Sequence, residues 1–174
     1  DNFFSVIKYD DGVEAPGRKY IGIYTTTQGK LQSQVQAFSS IISTGTQLKS
    51  NSKDPFWTIL SFYNTIRDIG KAKTLTEQDI PNTLKNYYRK RNINNGRYIN
   101  HNKVKELTSR MNNNEITRSL LELKNSYNDN KNEAIDICLA SNIIEVGVDI
   151  DRLALMTIIG QPKSTSQYIQ VSGR

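Results

Sequence analysis

Short, continuous apolar runs are the feature that most limits how this chain of 174 residues can fold. Three such runs, at residues 57–63, 134–140 and 153–159, combine β-branched, aromatic and other apolar side chains. A run of this length without alternation is typical of a strand buried on both faces of a sheet. Because segments with helical spacing separate the runs, the sequence predicts an α/β fold, a parallel sheet with helices on both faces.

The segments between the runs contain start and stop signals for helices. Residues 64–70 begin with a capping residue and end in glycine, which predicts a short helix. Residues 74–89 predict a second helical stretch, which Pro81 breaks or restarts. The Asn-rich residues 92–102 predict an exposed loop, and residues 104–108 a weak strand. Two further helices are predicted, one at 164–171 with a Ser or Thr cap and one at 114–123 with Ile116, Leu120, Leu121 and Leu123 on its apolar side.

The first 55 residues differ in pattern from the rest. Residues 20–24 predict a strand, and residues 31–42 an amphipathic helix. We therefore expect an N-terminal extension at 1–55 that packs on an α/β domain at 56–174.

Positive charge is concentrated in one segment, which we describe as a basic insert at about 72–103. The whole chain has a net charge of +6, yet residues 83–105 contain seven basic residues and no acidic one. Such a local excess indicates a polyanionic partner, although a basic run is also commonly a solvated face. The candidate phosphate contacts are Lys85, Arg89, Lys90, Arg91 and Arg97, and the candidate base-stacking rings are Tyr87, Tyr88 and Tyr98.

Composition excludes several classes of site. The single cysteine, Cys138, allows no intramolecular disulfide, and the single histidine, His101, makes a His-based triad improbable. No metal site is expected. No window approaches 18 apolar residues and no signal peptide is recognisable, so we expect a cytoplasmic protein without a membrane anchor.

Four short elements follow one another in an order that resembles the C-terminal RecA-like domain of superfamily 2 helicases. Residues 140–149 resemble motif V, because Ala-Ser at 140–141 is followed, after five residues, by Gly-Val-Asp at 147–149. Residues 170–174, Gln-Val-Ser-Gly-Arg, resemble the first half of motif VI. Residues 59–64 match motif IV, and residues 107–110 stand where the family has its next strand. The resemblance covers about 56–174, and the same segments resemble the helicase-like component of DISARM-type phage-defence systems.

The resemblance implies a three-layer RecA-like fold and a nucleotide held between two lobes. Gly147 and Gly173 would allow close approach of backbone to the nucleotide, since glycine has no Cβ. Asp149 would accept hydrogen bonds from ribose hydroxyls. Arg174 would act as an arginine finger on the transferred phosphoryl group, with Gln170 beside it in the catalytic set.

The resemblance also implies that nucleic acid binds at the carboxyl ends of the strands. Ser141 would donate to a phosphate, and Asn64 and Thr65 belong to the same expected set. The expected partners are a single strand of DNA or RNA, the missing N-terminal RecA-like lobe and other defence-system subunits.

The sequence departs from the helicase pattern at two points, and both affect the expected function. Val171 replaces the arginine that usually follows the glutamine of motif VI, and no G-x-x-x-x-G-K-[ST] loop is present. ATP and Mg²⁺ are therefore expected only in an intact two-lobe protein, of which this chain is a fragment that is inactive as an ATP hydrolase by itself.

Other interpretations remain open at this point. The second interpretation is a non-catalytic α/β module that binds nucleic acid or a partner, and a third, weaker one is a nucleotide-binding regulatory domain without nucleic acid. Gly147 and Asp149 would then be turn residues. Phe62, Tyr63 and Cys138 are expected in the core, and Asp136 and Asp151 form no convincing catalytic pair.

Overall fold

A parallel sheet of four strands forms the centre of the molecule. A computed structural model describes residues 9–14, 17–26, 29–49, 52–127, 133–141 and 150–172. Near the N-terminus, the two-residue strands β1 (Tyr9–Asp10) and β2 (Val13–Glu14) form a small antiparallel hairpin. The central sheet has the order β4-β5-β3-β6 and consists of β3 (Ile59–Tyr63), β4 (Val104–Leu107), β5 (Ile137–Ala140) and β6 (Met156–Ile159).

The register of the sheet aligns the ends of its strands. Leu60 of β3 pairs with Cys138 of β5 on one side and with Met156 of β6 on the other, and both pairings are parallel. All five residues of β3 and all four of β5 are buried. The predicted α/β class is confirmed, and β3 and β5 are buried on both faces as predicted. The prediction was wrong for β6, whose four residues are only half-buried because β6 is an outermost strand of the described sheet.

In the described part of the chain, five α-helices flank the sheet, and local capping explains where several of them begin. Thr65 accepts a hydrogen bond from the backbone N–H of Asp68, and Asn112 forms a capping box with Glu115. Ser164 Oγ accepts from the backbone N–H of Gln167, which supplies the predicted hydroxyl cap. The helices are α1 (Lys30–Gly45), α2 (Ile66–Thr74), α3 (Ile80–Lys90), α4 (Asn113–Leu123) and α5 (Thr165–Ser172).

A π-helical turn, Leu75–Asp79, joins α2 to α3 without a break. The backbone N–H of Ile80 donates to the carbonyl of Leu75, a bond across five residues. This turn places Leu75 and Ile80 on the same buried face although five residues separate them. Pro81, in the first turn of α3, has no N–H to donate to the preceding turn, and the helix continues through it by way of the π-helical turn.

Two apolar clusters, one on each face of the sheet, make up the core. Helices α1, α2 and α3 contribute to the cluster that contains Phe38, Ile59 and Tyr63. The opposite cluster contains Leu60 and Phe62, and α4 and α5 add Leu123 and Val171. Alternate residues of β3 therefore face opposite layers, as in a three-layer α/β fold. Helix α1 packs in the same cluster as β3. The division into an N-terminal extension at 1–55 and a domain at 56–174 stays a prediction.

Several predictions about local structure were wrong. Residues 20–24 form no strand, and their side chains are exposed, Tyr24 by 90%. The helix that begins after Thr65 does not end at Gly70, because a glycine within a helix costs only about 1 kcal/mol when neighbouring turns are packed. Leu121 is 59% exposed, because the buried positions of α4 are Ser119 and Leu123, on the opposite side of the helix.

Candidate functional site

The ends of the four parallel strands place several predicted residues at one edge of the sheet, which we name the carboxyl edge. Phe62 pairs with Ala140, and Tyr63 with Ile159, so the residues that follow these strands are neighbours. Binding sites of open α/β sheets form at this edge. The residues that follow the strands are Asn64, Thr108, Ser141 and Gly160.

Asn64 links two strand ends across the carboxyl edge. Its Nδ2 donates to the carbonyl oxygen of Gln161 over 2.7 Å. Its Oδ1 is buried and has no hydrogen-bond partner among the residues that the structure describes. Thr65 is exposed, and its hydroxyl both caps α2 and donates to Asp68 Oδ2 over 2.8 Å. Asn64 and Thr65 thus present polar atoms at the start of a helix.

Ser141 lies at the same edge, but it is buried whereas Thr65 is exposed. Its backbone N–H donates to the carbonyl of Leu107 over 3.1 Å, which fixes it against the end of β4. The residue is 5% exposed. The structure therefore brings Asn64, Thr65 and Ser141 to one edge.

A lysine from α1 also reaches the carboxyl edge. Gly160 has a φ of +81°, in the left-handed region that favours glycine. A Cβ at this position would lie 3.3 Å from Lys30 Nζ and 3.5 Å from Asn64 Nδ2. Sequence reasoning missed Lys30, because nothing in its local sequence indicates that α1 begins beside β3 and β6.

The basic insert ends at the opposite side of the sheet, which we name the amino edge. Arg89 and Lys90 end α3, and Tyr88, directly before them, donates its hydroxyl to the carbonyl of Arg97 over 2.9 Å. Arg97 in turn contacts Trp57, just before β3. The five residues of β3 separate the two edges by about 16 Å. The structure does not bring Arg89, Lys90 and Arg91 together with Asn64 and Ser141.

The basic side chains in the second half of α3 and directly after it are exposed. The Arg91 guanidinium lies 4.6 Å from the centre of the Tyr87 ring, and Arg89 Nη2 donates to Asn86 Oδ1 over 3.4 Å. In the described ranges, Lys85, Arg89, Lys90 and Arg91 have no acidic partner. Their charge is therefore available to a partner outside the chain.

Arg97 is not a phosphate contact, contrary to the expectation from the Asn-rich loop. It is buried, pairs with Asp136 Oδ1 at 2.9 Å and places its guanidinium 3.7 Å from the centre of the Trp57 ring. Burial lowers the pKa of Arg97, while the carboxylate of Asp136 raises it. Tyr88 is also buried and unable to stack on a base. Asp136, an acid beside an apolar run, was the signal in the sequence for a buried partner.

The remaining predicted residues divide into two groups. Gln170 is described and exposed, on α5. Cys138 is fully buried, which raises the pKa of its thiol to about 12 and confirms it as a core residue. The proposed nucleotide-contacting residues Gly147, Asp149, Gly173 and Arg174 lie outside the described residues.

The described residues form neither a metal site nor a membrane span. Within those ranges, no three His, Cys, Asp or Glu side chains gather at a position where they could hold a metal ion. No helix in the same ranges is long and apolar enough to span a membrane.

Comparison with known proteins agrees with this geometry. The family model of the helicase conserved C-terminal domain matches residues 48–174. The chain is also 35% identical, over its full length, to the DISARM protein DrmA of Bacillus paralicheniformis, and it spans 15% of that protein's length. No solved structure matches the chain significantly. The α/β fold and the polar residues at its carboxyl edge agree with the family match over most of the chain and with the 35% identity to DrmA. The chain therefore belongs to the helicase conserved C-terminal domain family.

Proposed function

We propose that this chain is the C-terminal RecA-like lobe of an ATP-dependent superfamily 2 helicase or translocase, within a larger protein of a DISARM-type phage-defence system. The observation that supports it most is the convergence of Asn64, Thr65 and Ser141 at the carboxyl edge of a parallel sheet, in a chain of the helicase family. Ligands of open α/β sheets bind at such edges.

In this proposal the carboxyl edge faces an N-terminal RecA-like lobe. The lobes hold ATP between them and a single strand of DNA or RNA across both. Gly147, Asp149 and Gly173 contact the nucleotide, while Arg174 and Gln170 act on its transferred phosphoryl group. Closure and opening of the lobes move the protein along the strand.

The described residues fit a phosphate better than they fit Mg²⁺. The carboxyl edge offers the ammonium group of Lys30, the hydroxyl of Ser141 and the amide of Asn64, all of which can donate to phosphate oxygens. Carboxylates, which Mg²⁺ prefers, do not gather in the described residues. We therefore assign the Mg²⁺ ligands to the other lobe and the phosphates of ATP. Cytoplasmic location and contacts with further defence-system subunits belong to the same proposal.

The full-length parent protein tests this function. We expect ATP hydrolysis that single-stranded nucleic acid stimulates. Arg174→Ala should lower kcat on the order of 10³-fold with little change in ATP affinity, because an arginine finger contacts charge that develops in the transition state. Lys124→Ala, a charge removal at an exposed residue after α4, is the matched control. A parent protein without ATP hydrolysis would instead support a non-catalytic module that binds nucleic acid or a partner.

A further inference from the structure

We propose that Lys30, from the helix that precedes the family-matched region, binds a phosphate group at the carboxyl edge beside Asn64 and Gly160. The inference deepens the proposed function and rests on it. Lys30 precedes the first matched residue by 18 positions and belongs to none of the motifs that resemble the helicase family. The phosphate belongs either to the backbone of the bound strand or to the nucleotide, and the experiment below distinguishes these sources.

The position of the Lys30 ammonium group supports this role. Nζ of Lys30 and Nδ2 of Asn64 both lie within 3.5 Å of the point where a Cβ of Gly160 would stand. The two nitrogen atoms come from α1 and from the end of β3, and Gly160 follows β6. Two donors from separate elements therefore meet beside the turn after β6, at the edge where ligands of such sheets bind.

The charge of Lys30 has no partner within the chain as described. No carboxylate in those ranges lies within ion-pair distance of its Nζ, whereas Lys73 and Lys105 pair with Glu106 and Glu122. An ammonium group without a carboxylate at a candidate binding edge is free to pair with a phosphate oxygen.

Helix stability does not explain a lysine at this position. Lys30 is the first residue of α1, where the helix dipole favours acidic side chains and disfavours basic ones. The first turn of α1 contains no acidic residue, and Gly29 provides no side-chain cap. A side chain that destabilises its own helix is expected at a position where it binds a ligand.

Gly160 leaves the space that the ammonium group occupies. A Cβ there would lie 3.3 Å from Lys30 Nζ, so a larger residue would force the lysine to move. The positive φ of Gly160 adds a second reason for glycine. The turn after β6 and the first residue of α1 are thus matched to each other.

Binding measurements on the full-length parent test the proposal. The variants are Lys30→Gln, Lys30→Arg and, as the matched control, Lys49→Gln. Lys49 is exposed and lies beyond the other end of α1, whose 16 residues span about 24 Å. One arm titrates single-stranded DNA against salt without nucleotide, and the other measures the Kd of ATP without DNA. Thermal unfolding compares the folding of all variants.

If a backbone phosphate is the ligand, Lys30→Gln should flatten the slope of log K against log [salt] by about 0.7 units, the value for one phosphate contact on a single strand. Lys30→Arg should retain the slope of the wild type. If a nucleotide phosphate is the ligand, Lys30→Gln should instead raise the Kd of ATP about tenfold, which corresponds to the loss of one charge-assisted hydrogen bond.

Three results would overturn the proposal. The first is a folded Lys30→Gln variant that matches the wild type in both arms. The second is a Lys49→Gln variant with the same effect as Lys30→Gln, which would indicate a general charge effect. A parent protein that binds neither DNA nor ATP would overturn the proposed function as well, so the two failures are distinguishable.

Discussion

Arg97 shows how one buried contact joins segments that are far apart in the sequence. Its guanidinium bonds to the Trp57 carbonyl and to Asp136, 39 residues away, and it stacks on the indole ring of Trp57. Asp136 also accepts from the backbone N–H of Asn100. The pair therefore holds the loop after α3 against the beginnings of β3 and β5.

The first prediction concerns this ion pair. Arg97→Met should lower the free energy of unfolding by about 3 to 5 kcal/mol, because it leaves the Asp136 carboxylate buried without its partner. The double variant Arg97→Met/Asp136→Leu should lose less than the sum of the two single changes. Urea unfolding of the chain measures both values, with Arg110→Met, at an exposed residue, as the control. Additive losses would contradict the coupling.

The second prediction concerns pH. Lys105 Nζ lies 2.7 Å from Glu122, and this hydrogen bond holds the pKa of the Glu122 carboxyl below its ordinary value of 4.5. A carboxyl whose pKa is lower in the folded state stabilises the protein above pH 4.5, and this contribution is lost as the pH falls through the folded-state pKa. The urea midpoint of Glu122→Gln should therefore lie below that of the wild type at neutral pH and approach it in acid.

A matched variant makes the pH measurement specific to Glu122. Glu133 is exposed and forms no ion pair with the described residues, so Glu133→Gln should follow the wild type at every pH. A difference between wild type and Glu122→Gln that does not change with pH would show that the ion pair is not its source.

At the scale of elements, the continuous helical segment from α2 to α3 crosses from one edge of the sheet to the other. It begins at Thr65, on the carboxyl edge, and ends at Lys90, near the amino edge. The π-helical turn keeps Leu75, Ile80 and Leu84 on the buried face throughout. The exposed basic cluster at its end therefore lies at the opposite edge from Asn64 and Ser141, where only a long strand could reach it.

The third prediction follows from that separation. Replacing Arg89, Lys90 and Arg91 together with Ala should flatten the salt slope of single-stranded DNA binding by roughly 2 to 3 units, at about 0.7–0.9 per lost phosphate contact. The effect should require a strand long enough to reach both edges. A short oligonucleotide that covers only the carboxyl edge is the control, and we expect its slope to stay unchanged in the parent protein. Equal slopes for wild type and variant on long strands would identify the cluster as a solvated face.

At the scale of the whole molecule, the sheet presents one edge whose polar groups suit a ligand between two lobes. The donors there come from strand ends and from the first residue of α1. The chain contains no phosphate-binding loop of the G-x-x-x-x-G-K-[ST] type, which supplies most donors to a triphosphate. The proposed function therefore requires a further lobe that supplies such a loop, and the chain spans 15% of the length of its DrmA relative.

The fourth prediction is that residues 1–174 alone bind ATP weakly and release no phosphate in the steady state. The parent protein should hydrolyse ATP under the same conditions. A coupled assay of phosphate release, with and without single-stranded DNA, compares the two. Turnover by a pure preparation of the isolated chain would contradict the assignment of the phosphate loop to another lobe.

The sequence by itself determined the α/β class, the four strands of the central sheet and most helices, because continuous apolar runs and capping residues are local signals. The resemblance to helicase motifs also indicated Asn64, Thr65 and Ser141, which follow a strand or cap a helix. Only the tertiary structure decided that Lys30 joins these residues, that Arg97 is buried against Asp136, and that the basic cluster lies at the opposite edge. These outcomes depend on which surfaces of distant segments pack together. The spacing of residues along the chain does not indicate such contacts, because side chains of distant segments are buried and paired only when the helices pack on the sheet.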